Sequence, residues 1–277
     1  MEIARAGLVE VPGAAVPTFA SAGLEDRAAA VASIAAASLD YLAGLLGHRP
    51  EVQVLVLSEA DWAEKGRTPL FGLPNAEAGT LVVAGTEAEW WSELAPLAGD
   101  DGQAELSAVY GGPDGRLHLG DFFDLLAVHE VAHLFAEGTV VFPRMWLGEL
   151  CANLALHAWV VLRAPDSMDA LMTLPRLAAL SSGEEFEHRS RDEFERLYGT
   201  IGGPNYAWYQ FRLMAGAVEL FDSLGESAVR RLFDAFRIEG GTDRDSQGFD
   251  ESIDDATLAG RLSAAVDPRI GAFSLAF

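Results

Sequence analysis

The spacing of apolar positions changes along the first 120 residues. From residue 24 to 46, Val31, Ile34, Leu42 and Leu45 recur at near-helical spacing in an Ala- and Leu-rich run that meets no Pro and no Gly before Gly44. This predicts a helix, which Gly47 and Pro50 close. Residues 51–57 alternate instead, with Val52, Val54 and Val56 on one parity, and predict a strand. Residues 80–83 and 116–119 read as further short strands, separated by the Gly- and Pro-containing loops 68–79 and 111–115. The expected result is a helix packed on a small sheet.

Beyond Asp121 the pattern becomes helical. Helices are predicted over 122–137, 145–162, 167–180 (kinked or broken at Pro175), 191–198, 205–223, 226–236 and 253–265. Asp121 is the expected N-cap of the first of these and Gly138 its terminator. Together the elements predict an α+β chain: an N-terminal subdomain over 1–162 with the small sheet, and a mainly helical C-terminal subdomain over 163–277 that completes a cleft. Pro165, Gly183, Gly202, Gly203 and Pro204 punctuate the boundary region.

Composition narrows the classes. A chain of 277 residues suits one substantial domain or two intimate subdomains. With 50% apolar and 22% charged residues it has the balance of a folded protein, not of a disordered one. Its 42 Asp plus Glu against 19 Lys plus Arg give a formal charge of −23, which repels phosphate backbones and argues against a nucleic-acid partner. The acid residues are dispersed, with one denser stretch over 243–255, and read as a solubilising surface. The single cysteine, Cys151, rules out an intramolecular disulfide and Cys-rich zinc sites, and reads as a small buried hydrophobe. Residues 1–16 lack the basic start and apolar core of a signal peptide, and no uninterrupted apolar run reaches the ~18–20 residues of a membrane span. A cytoplasmic protein without a membrane partner is expected, its oligomeric state left open.

Chemistry concentrates at residues 129–133, His-Glu-Val-Ala-His, inside a predicted helix. At about 100° per residue, four positions advance about 400°, so His129 and His133 project from nearly one face about 6 Å apart along the axis, a spacing suited to gripping one zinc ion. Glu130 lies one residue round the helix, beside such a metal and not on it, where its carboxylate can take a proton from an activated water. Apolar flanks at Leu125, Leu126, Val128, Leu134 and Phe135 are expected to bury the back of the helix. A catalytic zinc needs a third protein ligand and an open position. His157 and His188 are candidates; Glu149 is better placed, at the start of the next helix, after an interval that closes one helix, turns and opens another.

His-Glu-Val-Ala-His followed by Met-Trp-Leu-Gly-Glu-Leu-Cys-Ala at 145–152 resembles the gluzincin metallopeptidases, the thermolysin- and aminopeptidase-like group. The resemblance covers roughly 116–160, with a weaker echo over 205–236. It implies a zincin-like fold, zinc as cofactor, His129, His133 and Glu149 as ligands, Glu130 as general base, and hydrolysis of a peptide or small amide. Leu150 stands where the group often has Gly after the glutamate, and no subfamily is indicated. Asn153, one turn after Glu149, stands where thermolysin-like members carry an aspartate, and its amide oxygen could orient a liganding imidazole. Tyr206 and Tyr209 are both candidates for an oxyanion donor, since related enzymes place a tyrosine from a later helix over the zinc. Arg212 could bind a substrate carboxylate, and the segment 108–119 with His118 could line the cleft. Trp90 and Trp91 read as an aromatic cover on the core. Two alternatives remain open at this point: a zinc-site scaffold without catalysis, and a hydrolase of a small-molecule amide or ester.

Overall fold

The computed structural model describes residues 5–66, 68–180, 183, 184, 186–238 and 253–271. Residues 243–252 of the acidic stretch lie outside them. The architecture is mixed α+β, with a small N-terminal sheet plus helices and a predominantly helical C-terminal region, matching a zincin-like fold. The chain forms two compact units, one of Met1–Ser92 with Gly112–Phe135, the other of Glu93–Gly111 with Ala136–Phe277.

The first unit is built on a five-stranded sheet of order β1-β2-β3-β5-β4. Its strands are β1 (Val9–Glu10), β2 (Thr18–Ala20), β3 (Gln53–Leu57), β4 (Asn75–Glu77) and β5 (Thr80–Ala84). The central strands β2, β3 and β5 run parallel, and β1 and β4 close the two edges antiparallel. The strand predicted over 51–57 forms as β3, and its Val54, Leu55, Val56 and Leu57 are all fully buried. A parallel central strand is covered on both faces, so both parities must be apolar. Leu55 and Leu57 pair with Val82 and Ala84 and pack with Trp62, Phe19 and Phe71 on one face. Helix α1 (Glu25–Leu46) packs against β2 and β3. The strand expected over 116–119 is not formed: the Gly112 N–H donates to the Arg116 carbonyl at 2.8 Å, closing a turn, and Leu117 is a lone bridge residue.

Two further helices belong to this unit. The short α2 (Glu59–Lys65) is capped by Ser58, whose hydroxyl accepts the Asp61 N–H. The helix that carries the metal motif spans Gly120–Ala136. Asp121, the expected N-cap, lies inside its first turn; the carboxylate of Glu87 accepts the Gly120 N–H at 2.9 Å and does the capping. Arg27 on α1 donates through both terminal nitrogens to the two oxygens of Asp124, and His48 bonds the Phe135 carbonyl at 3.0 Å. Trp91 stacks on Phe123 at 3.9 Å between centroids while Trp90 meets the same ring edge-on. Both tryptophans hold the loop before β4 through bonds from their indole nitrogens to the Phe71 and Gly72 carbonyls.

In the second unit α3 (Gly99–Tyr110), which the sequence did not reveal, packs on α6 (Met168–Ala178). With α3 so labelled, the metal-motif helix Gly120–Ala136 is α4. Helix α6 continues through Pro175. The Tyr110 hydroxyl reaches its backbone there, donating to the Ala170 carbonyl at 2.8 Å and accepting the Leu174 N–H at 3.4 Å. Helix α5 (Met145–Arg163) is buried at every residue from Trp146 to Val160, the mark of a helix covered all round. Around it lie α7 (Arg191–Leu197), α8 (Gly203–Leu224) and α9 (Ser227–Ala235); α10 (Asp255–Ala265) packs on α9. By length and composition α1 and α5 are apolar enough to cross a membrane, although neither is an uninterrupted apolar run; α5 meets that criterion as a buried core helix.

Candidate metal centre

The i, i+4 spacing of His129 and His133 on α4 does what helix geometry requires. Their Nε2 atoms converge to 3.0 Å, with the rings inclined at 69°. His129 is 6% exposed and His133 partly exposed, so the pair sits with one side in the core. Two imidazole nitrogens bonded to one tetrahedral zinc at ~2.0–2.1 Å lie about 3.3 Å apart, and the pair needs to open only slightly to reach that. Glu130, partly exposed, is next on the same helix.

Glu149 lies on the first turns of α5 and is 4% exposed. A carboxylate that deep requires donors. The Tyr198 hydroxyl donates to its Oε1 at 2.6 Å, and the Gln210 side-chain amide donates to its Oε2 at 2.6 Å. The start of α5 is itself fixed from α7, where Glu195 accepts the N–H groups of Met145 and Trp146. Burial raises the Tyr198 phenol well above its ordinary pKa, and the adjacent Glu149 charge pushes it the same way.

One ligand atom from each of His129, His133 and Glu149 lies within 4.8 Å of the others, the one such group among the described residues. Two neutral imidazoles and a carboxylate are the donor set of a catalytic zinc with three protein ligands, and the cluster is suited to chelate a metal ion. Compared with known proteins, the chain matches no family model, no curated protein and no solved structure. The assignment therefore rests on the motif and on this geometry.

The other candidates divide. Tyr206 joins the Glu149 network, its oxygen accepting from Gln210 at 2.7 Å. Asn153 enters the same network through its amide nitrogen, which donates to Gln210 Oε1 at 2.9 Å. Tyr209 gives its proton to the Ser190 carbonyl at 2.8 Å, and burial pushes its pKa to about 12. His157 stands edge-on to Phe221 with a buried, unbonded Nδ1. His188 bonds Glu193 at 3.3 Å, and His118 is held between Glu87 and Asp114. Arg212 lies over the Trp208 ring at 5.2 Å. Cys151 is buried and its thiol pKa is pushed well up by that burial, as expected of a core residue. Tyr198 and Gln210 escaped the sequence reading. They belong to no motif, and the one signal for them was the need of a buried glutamate for hydrogen-bond donors.

Proposed function

We propose that this protein is a zinc-dependent hydrolase acting on amide bonds, with a peptide or small amide as substrate. The observation that carries the reading is the convergence of His129, His133 and Glu149, with Glu130 next to the first histidine on the same helix. Zinc held by those three residues would supply a Lewis acid and lower the pKa of water toward ~7. Glu130 takes the proton of the attacking water and passes it to the departing amine. Of the two candidate phenols, Tyr206 shares Gln210 with Glu149 whereas the Tyr209 proton is given to a backbone carbonyl, so the oxyanion donor is assigned to Tyr206. A zinc with no catalytic task has no use for a base beside it, which favours the enzyme over a scaffold.

The test is a screen of the zinc-loaded chain against a peptide mixture and, in parallel, simple amides and esters, with Glu130→Gln as the matched background. Peptide cleavage that disappears in the variant while its zinc content is unchanged supports the proposal. Cleavage that continues in Glu130→Gln at the wild-type rate, or no hydrolysis of any class, contradicts it. Hydrolysis confined to the simple amides fits the proposal with the smaller of its two substrates, and hydrolysis confined to esters keeps the mechanism and changes the bond cleaved.

A further inference from the structure

Two hydrogen bonds described at Glu149 run the same way. Tyr198 donates to Oε1 and Gln210 to Oε2, each at 2.6 Å, so each carboxylate oxygen has its own donor. The orientation of the Gln210 amide is fixed by its other partners: Asn153 Nδ2 donates to its Oε1 at 2.9 Å, and its Nε2 also reaches the Tyr206 oxygen at 2.7 Å. Turning the amide over would set an oxygen against the carboxylate and a nitrogen against the Asn153 amide nitrogen. The Tyr198 and Tyr206 rings meet edge-on, 5.9 Å apart between centroids. The carboxylate thus accepts at both ends.

We infer that Tyr198 and Gln210 are positioning residues that clamp Glu149 in the rotamer that binds metal and set the affinity of the site; the inference rests on the zinc reading above. Three features support it. The donors come from different places, the residue after α7 and the middle of α8, so the carboxylate is braced from two directions. Each carboxylate oxygen has two acceptor positions, so a donor and a metal can share one oxygen. Both donors are neutral. A Lys or Arg in their place would hold the carboxylate equally well but repel the incoming cation, whereas a phenol and an amide leave the full negative charge to it.

The experiment uses the full chain, stripped of metal, and measures zinc affinity by competition with a chromogenic chelator, together with the Tm of the metal-free protein. The variants are Tyr198→Phe, Gln210→Met and Gln210→Asn, the last an amide too short to reach Glu149. Tyr110→Phe is the control, a buried phenol bonded only to α6 backbone groups among its described contacts. The clamp predicts a zinc Kd weakened about 10- to 100-fold in each of the three variants. It predicts a lowered Tm with unchanged zinc Kd in Tyr110→Phe. Zinc affinity within about threefold of wild type in Tyr198→Phe and both Gln210 variants overturns the clamp while leaving the metal site intact. Failure of the wild-type chain to bind zinc at all overturns the site reading, and the clamp with it.

Discussion

Glu195 holds the first turn of the helix that carries Glu149, its carboxylate accepting the Trp146 N–H at 2.8 Å. The same carboxylate takes the Met145 N–H at 2.9 Å, so two of the otherwise orphan donors of α5 are satisfied from α7. Burial raises the Glu195 pKa, opposed by those two bonds and by Arg144 and Arg191. Glu195→Ala is expected to cost about 1–2 kcal/mol in urea unfolding. Glu195→Gln should cost less, because the amide keeps one acceptor and buries no charge. Equal losses in the two variants would show that shape, and not capping, is what α5 draws from this residue.

Arg27 and Asp124 join α1 to the metal-motif helix through paired hydrogen bonds. Their side chains are 25% and 17% exposed, shielded enough that solvent screens the pair less than an open surface bridge. A double-mutant cycle with Arg27→Ala and Asp124→Ala should return a coupling of about 1–2 kcal/mol in thermal or urea unfolding. A coupling near zero would mean that packing alone holds α4 against α1.

His157 introduces a pH dependence of known sign. Burial lowers its pKa below the ordinary ~6.5, with Asp222 pulling the other way, and its Nδ1 has no partner. The unfolded chain therefore binds the proton before the folded one does. Stability from this site is complete above about pH 6.5 and is lost as pH falls through 6.5 toward the lowered value. Between pH 7.5 and 5, the Tm of wild type should fall more steeply than that of His157→Phe, whose ring has no proton to take. Parallel curves would contradict the assignment.

How far the sequence reveals this molecule depends on the range of each signal. The helices from α4 to α10 were legible because each buries a stripe or its whole circumference, and the i, i+4 histidines placed themselves on one face. Glu149 was legible through its interval from His133. Residues 116–119 misled because Leu117 and Leu119 alternate with Arg116 and His118 as in a strand; His118 is instead held by Glu87 and Asp114 in a turn. Helix α3 was hidden by Gly99, Gly102 and its acidic start, and it is the packing of Leu106 and Tyr110 that makes it a helix. Strands β1 and β2 are too short to carry a period. Tyr198 and Gln210 meet Glu149 only through the folding of α7 and α8, and no local pattern announces such a meeting.

The central claim is that three side chains hold one divalent ion, and the metal content of the purified chain tests it most directly. After equilibration with zinc and removal of excess, elemental analysis should find one zinc per chain in the wild type and in Glu130→Gln, and little or none in His129→Ala, His133→Ala or Glu149→Ala. A wild-type chain that takes up no zinc, or a His129→Ala or Glu149→Ala chain that retains a full equivalent, would contradict the account.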